Sequence, residues 1–221
     1  MPKRFRVTIY DKGTMAPALP ERRQVQVVSL PNTGREEQAY LEHMVRRYDD
    51  LADLTVFAQG KPFDHVPSFH KHLHAIAFNR MRVDAFWWMG FIIDEDDATG
   101  SRLFQRWSKN VEGAPLPFNA FFQALWGEPA PERVVFYPSA HFAVTADRIR
   151  SQPKSFYEKA LTISAALPHA GHCFERVWDR IFGVQGIPLE YRDASKPVYL
   201  RKIRRATTGG TSNRKGRGFT D

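Results

Sequence analysis

The stretch Pro31-Asn32-Thr33-Gly34-Arg35-Glu36-Glu37 places a glycine and an arginine where an amphipathic helical pattern begins. A helix N-terminus carries partial positive charge and prefers Asp or Glu, so an arginine there is mildly unfavourable unless an anion joins it. Glycine lets a ligand approach the backbone, and the guanidinium adds a planar, two-pronged donor beside the helix amides. Together they form a cradle suited to a diphosphate or a carboxylate. Thr33 and Glu36 have the spacing of a capping box, which accounts for those two residues and leaves Gly34 and Arg35 unexplained. The alternative for Arg35 is a solvated side chain next to an ordinary cap.

Two further groups can do chemistry. Gln59, Asp64 and His65 follow a short β-rich run, where an adjacent Asp and His orient each other or a substrate hydroxyl; a turn-capping pair is the alternative. Glu175 stands at the margin of an apolar helical stripe beside Trp178. A carboxylate half-buried against tryptophan has a raised proton affinity, which suits a general base acting on an acceptor hydroxyl. Glu175 and Asp179 also form an i, i+4 like-charge pair that Arg176 and Arg180 can offset as surface neighbours. The acidic run Asp94-Glu95-Asp96-Asp97 reads either as oxygen ligands for a hard cation or as a charged turn after a buried strand. His70 and His74 lie one helical turn apart without a local third metal ligand, so a solvent-facing helix edge is expected. No nucleophile elbow and no Gly-Lys-Ser phosphate loop is present, which leaves hydrolase and kinase chemistry without a motif.

The elements that must position these groups follow from periodicity. "RFRVTIY" and "RQVQVVSL" alternate apolar and polar residues as strands do, and Glu36 to Leu51 repeats apolar positions at helical spacing. "DLTVFAQG" is a further strand, "PSFHKHLHAIAF" a helix and "AFWWMGFII" a buried strand. After a long proline- and glycine-bearing excursion with one short helix come the strand "RVVFYPSAHFAVT" and a helix broken near Pro153. In the last helix, "GHCFERVWDRIFG", Phe174, Val177, Trp178, Ile181 and Phe182 form an apolar stripe closed by Gly183. Strand, strand, helix, strand suggests an α/β layer. The expected organisation is one α/β domain over residues 1–191 and a basic tail over 192–221, disordered from about residue 206 on grounds of composition.

At 221 residues with 43% hydrophobic side chains, the chain is long enough to bury a core of its own. Cys173 is the single cysteine, which excludes an intrachain disulfide and a cysteine-based zinc site. The net charge of +8 sits almost wholly in the tail, where nine basic residues face Asp193 and Asp221, so the body is close to neutral. A nucleic-acid contact is therefore expected only through the tail. No signal-peptide pattern and no apolar run of about 18 residues occurs, and a soluble, cytoplasmic protein is expected.

The blocks Asn-x-Gly-Arg-Glu at residues 32–36, Gln-Gly-x-Pro-Phe-Asp-His at 59–65 and Glu-Arg-x-Trp at 175–178 resemble a family catalogued as a domain of unknown function, the 3431 family. The resemblance extends over residues 5 to about 183. That family is similar in pattern to glycosyltransferases of the A-type fold. The resemblance implies a mostly parallel sheet flanked by helices, with a helical C-terminal part, a sugar-nucleotide donor, a carbohydrate-type acceptor, and Mn²⁺ or Mg²⁺ bound with the donor. In that scheme Asn32, Gly34, Arg35, Gln59 and Arg176 bind the ligand. Asp64, His65 and Glu175 serve the chemistry, and Asp64 alone stands near the usual metal-binding carboxylate pair. Members usually carry an earlier strand, and this chain starts after it, so a first strand is expected to be lacking. The rival expectations are a non-enzymatic carbohydrate- or polyanion-binding protein and an inactive, truncated member of the family.

Overall fold

The computed structural model describes residues 5–14, 25–90, 92–196 and 198. Strands β1 (Val7–Asp11) and β2 (Val25–Ser29) pair in parallel, with Val7 opposite Val25. Helix α1 (Glu36–Arg47) follows; it has acids in its first turn and arginines in its last, the arrangement its dipole favours. Its Leu41 and Met44 are fully buried. Next come β3 (Leu54–Phe57), α2 (Phe69–Ala77), β4 (Phe86–Trp88), β5 (Asp94–Asp96) and α3 (Phe118–Trp126). The C-terminal part comprises β6 (Val134–Phe136), β7 (Phe142–Thr145), α4 (Ala146–Arg150), α5 (Lys154–Ala166), α6 (Ala170–Glu175), α7 (Trp178–Ile181) and α8 (Leu189–Arg192). Pro153 separates α4 from α5 as the residue before the first turn of α5, in keeping with its lack of an amide donor. The residues on which disorder was expected, from about 206, lie outside the described ones. Among the described residues no helix is long and apolar enough to cross a membrane.

The expectation of a mostly parallel, A-type sheet is wrong. Only β1 and β2 pair in parallel; β7 runs antiparallel to both its neighbours in the order β3-β7-β4, and β5 pairs antiparallel with β6. Alternation marks a strand but carries no information on the direction of its partner. The single strand expected over "RVVFYPSAHFAVT" is two, interrupted at Pro138, whose ring removes a ladder donor. The second of them, β7, is buried at the centre of its sheet.

A second correction concerns the last helix. Its apolar stripe is buried as expected, but the helix pauses at Arg176 and Val177, so α6 and α7 are separate. Glu175 and Asp179 are thus not a pair on one helix face. Asp179 accepts hydrogen bonds from the amides of Arg180 (2.8 Å) and Gly186 (3.2 Å), and burial pushes its carboxyl up to about 6 in spite of them. Cys173 is fully buried, and burial raises its thiol to about 12, which makes it an inert core residue.

The third correction is β5. The run read as a charged turn is a strand in which Asp94, Glu95 and Asp96 are all buried. Glu95 is paired with Arg102 and, at 2.7 Å, with Arg133. Asp96 pairs with Arg176 at 2.7 Å, both side chains being essentially inaccessible. Acids tolerate such a position only when each is neutralised and hydrogen-bonded.

Trp178 sits at the centre of the core, 1% exposed, with ring centroids at 5.1 Å from Phe142 and 5.5 Å from Phe174. Trp178→Ala is expected to lower unfolding free energy by about 3–5 kcal/mol, a large part of a domain's typical stability, as read by urea denaturation.

Candidate functional site

The N-terminus of α1 is fixed by Glu37, not by the expected capping box. Glu37, 2% exposed, accepts from the Arg35 amide (3.1 and 3.2 Å) and from the Ser164 hydroxyl of α5 (3.0 Å). Thr33 makes no cap; its hydroxyl accepts from the Gln38 side chain at 2.8 Å. Gly34 has φ +61°, a conformation L side chains rarely adopt, and an added Cβ would lie 3.1 Å from Glu37 Oε1. The glycine is therefore explained by backbone shape and packing. Gly171 of α6 lets the same carboxylate approach: a Cβ there would meet Glu37 Oε2 at 2.8 Å. Lys12, at the end of β1, donates to the Thr33 and Arg35 carbonyls at 2.6 Å each. These contacts bring the start of α1 against α6 and set Arg35 beside His172 and Glu175.

Arg35 Nη1 lies 2.7 Å from His172 Nε2. A guanidinium only donates, so Nε2 must accept, and the imidazole proton resides on Nδ1. That Nδ1 faces Glu175 Oε2 at 3.7 Å, and Arg176 Nη1 lies 3.9 Å from the same oxygen. Burial raises the proton affinity of the Glu175 carboxyl, but the neighbouring His172 and the charges of Arg176 and Arg35 outweigh it and hold the group below the ordinary glutamate range. The expected raised affinity is thus reversed, and Glu175 is a carboxylate at neutral pH.

These residues line a cleft of about 630 Å³. Arg35, Gln59, Asp64, His65, Glu175 and Arg176 all reach it, although they come from three well-separated parts of the chain. Asn32 and Gly34 do not line it; Asn32 is exposed on the preceding turn. Arg176 is not a surface neighbour of Asp179 but a buried side chain committed to Asp96 and to the His172 carbonyl (2.7 Å), leaving it as a wall of the cleft. Asp64 and His65 stand exposed at the rim, on and just after the short 3₁₀ turn Pro62–Asp64. Among the described residues no group of three His, Cys, Asp or Glu side chains can hold a metal, and Asp64 finds no companion ligands among them. In the acidic run, Asp97 is likewise engaged: burial would raise its carboxyl, but hydrogen bonds from Ser101 and Thr99 hold it down to about 2.

Several cleft residues carry no sequence signal of the kind used above. Trp107 follows the 3₁₀ turn Phe104–Arg106, with the Arg35 guanidinium 5.8 Å and Lys109 Nζ 5.6 Å from its ring centroid. Two cations thus flank one partly buried indole. His141, fully buried, enters β7 from behind the cleft; its Nε2 accepts from the Gln59 amide at 3.4 Å, so Nδ1 carries the proton and donates to Ser139 Oγ at 2.8 Å. Ser139 Oγ also accepts from the His141 amide at 3.2 Å, which leaves the serine proton for a group in the cleft. Burial, then the neighbouring His65, lowers the affinity of His141 for a second proton to about 4, against a smaller opposing effect of Glu175. His172 alone was legible in principle, as the residue one helical turn before Glu175.

A family described as "Protein of unknown function (DUF3431)" has a model that matches residues 5–195. No curated protein and no solved structure matches the chain.

Two expectations follow. Asp96→Asn removes the charge that neutralises Arg176 and is expected to cost about 3–5 kcal/mol, with protease cleavage appearing first in the 97–106 loop it holds. For His141, a folded-state value of about 4 lies below the ordinary histidine value of about 6.5. Its contribution to stability is therefore complete above pH 6.5 and lost as pH falls towards 4. NMR titration should show its ring neutral at pH 5.5.

Proposed function

The chain belongs to the DUF3431 family, and we propose that its cleft binds a nucleotide sugar and transfers the sugar to an acceptor hydroxyl. The observation that carries this reading is the pairing of Arg35 and Lys109 around Trp107 with the ionised Glu175 next to it across His172. An indole that holds two cations over its ring gathers positive charge suited to the diphosphate of such a ligand. A carboxylate kept ionised by His172 and Arg176 suits a hydroxyl that must be oriented and then lose its proton. The volume of about 630 Å³ is in the range of small-molecule sites.

In this reaction the acceptor oxygen attacks the anomeric carbon and the bond from that carbon to the diphosphate breaks. The nucleoside diphosphate leaves with the bonding electrons towards Arg35 and Lys109, and the acceptor proton passes to Glu175. Asp64 and His65 line the rim by which the acceptor enters. Asp64 has no companion ligand among the described residues, so no step is assigned to a divalent ion, and the arm with Mn²⁺ tests that assignment.

Titration calorimetry with uridine and guanosine diphosphate sugars, with and without Mn²⁺, reads binding directly. Arg35→Gln should weaken the diphosphate ligand by roughly ten- to a hundredfold, the value of a charge-assisted contact of about 1.5–3 kcal/mol. Its exposed side chain should cost less than about 1 kcal/mol of stability. Thr33→Ala, which removes no cap, should change neither by much. Glu175→Gln should keep binding and abolish release of nucleoside diphosphate in the presence of acceptor. Binding without release in the parent chain would favour a carbohydrate-binding protein, and no binding of any nucleotide sugar would end the reading.

A further inference from the structure

Two of the large apolar side chains exposed among the described residues, Phe63 (55%) and Phe78 (48%), stand at opposite ends of α2, one before its first turn and one as its C-terminal cap. The helix turns Phe69, Leu73 and Ala77 inward, and the positions one further along, His70, His74 and Phe78, recur at the same four-residue spacing on an exposed side. His74 stacks on Phe78 with ring centroids 4.6 Å apart, and the His70 ring lies 6.2 Å from that of Phe63. The four rings thus form one ridge along the helix. An isolated exposed apolar residue needs no explanation, whereas a contiguous row does. Phenylalanine gives the ridge an apolar tip at each end, and imidazole joins an apolar body to a polar edge, as side chains at a water–lipid boundary do.

Charge selects the partner. The body of the chain is close to neutral, yet residues 65–83 contain no Asp or Glu and hold Lys71, Arg80 and Arg82. Arg82 is paired with Asp84, while Lys71 and Arg80, both exposed, make no ion pair among the described residues. Lys61 is a third exposed cation near the first ring of the ridge, against the single carboxylate of Asp64. An apolar ridge beside unpaired cations is the pattern of a helix that lies on an anionic bilayer, its rings in the headgroup layer and its cations at the charged surface. Shape agrees with this. None of the four ring residues lines the cleft, and a convex ridge gives a peptide no groove to enter, whereas a soft layer closes around it.

We infer that the outer side of α2 is a docking surface for an anionic membrane, with Phe63 and Phe78 entering the headgroup layer and Lys61, Lys71 and Arg80 meeting its charge. Asp64 and His65 follow Phe63 directly and stand at the rim of the cleft, so docking turns that rim towards the bilayer.

The test uses the full chain with a polarity-sensitive fluorophore on His70→Cys; Cys173, fully buried and with its thiol raised to about 12, stays unlabelled. The emission should shift to the blue on vesicles of phosphatidylcholine and phosphatidylserine in equal parts and stay unchanged on phosphatidylcholine alone. A label on Glu158→Cys, exposed on α5, should remain in water on both. In sedimentation with the mixed vesicles, Phe63→Ser combined with Phe78→Ser should weaken binding about tenfold and Lys71→Glu about fivefold, the melting temperature being retained because these side chains are exposed. Binding without the blue shift at His70→Cys, as attachment through the basic tail alone gives, would overturn the inference. So would the absence of binding, an equal shift on neutral vesicles, or unchanged binding by Lys71→Glu and the double variant. A larger shift with a polyglutamate peptide than with vesicles would assign the ridge to an acidic protein and overturn it as well. None of these readouts depends on nucleotide-sugar binding in the cleft.

Discussion

The buried ion pair between Asp96 and Arg176 holds together the two halves of the cleft. Removing both charges from water is costly, and their attraction repays that only when the remaining lone pairs and protons are satisfied. Asp96 meets this condition on its side. One oxygen accepts from the amides of Asp97, Arg102 and Leu103, and the other from the Phe104 amide and from Arg176. Arg176 donates also to the His172 carbonyl and lies 4.4 Å over the Phe136 ring, while its Nε has no hydrogen-bond partner among the described residues. The pair therefore gathers four amides of one loop onto the end of α6. That loop leads to Trp107 and Lys109; the helix end carries His172 and Glu175. The facing walls of the cleft are thereby set relative to each other by a single carboxylate.

This arrangement explains why part of the fold was legible in the sequence and part was not. The stripe through Phe174, Trp178 and Phe182 is a one-dimensional pattern created by burial of one face, and the structure buries it. The break at Arg176 is not such a pattern. A buried arginine in a helical stripe looks like a polar residue on the outer face until its partner is known, and that partner lies 80 positions earlier. The same holds for β5: three acids in sequence signal solvent, and it is the positions of Arg102 and Arg133 beside Glu95 and of Arg176 beside Asp96 that let two of them lie in a strand interior. Strand direction was similarly hidden, because an antiparallel β7 and a parallel one have the same alternation of side chains.

The site shows the same division. Residues noticed for their own chemistry, Arg35, Asp64, His65 and Glu175, converge on one cleft. Gly34 reads in the sequence as room for a ligand at the backbone, whereas in the fold it is required by its positive φ and by the close approach of the chain's own Glu37 carboxylate. Ser139 and His141 went unremarked because a short polar interruption between two strands is usually a turn. Here the turn is buried, so its hydroxyl and imidazole satisfy each other and the Gln59 amide.

The chain of contacts from Arg35 through His172 to Glu175 links the two ends of the cleft electrostatically. Arg35 helps in two ways to keep Glu175 ionised, through its own charge and by fixing the His172 proton on the nitrogen that faces the carboxylate. An anion drawn to Arg35 opposes both. It neutralises part of that charge, and it competes for the guanidinium donor that holds the imidazole tautomer. Under the proposed transfer, a diphosphate held at Arg35 therefore raises the proton affinity of Glu175 in the direction a base requires. The basicity of Glu175 is on this view set by what Arg35 holds, and the arginine at the wrong end of a helix is the element that links donor binding to the base.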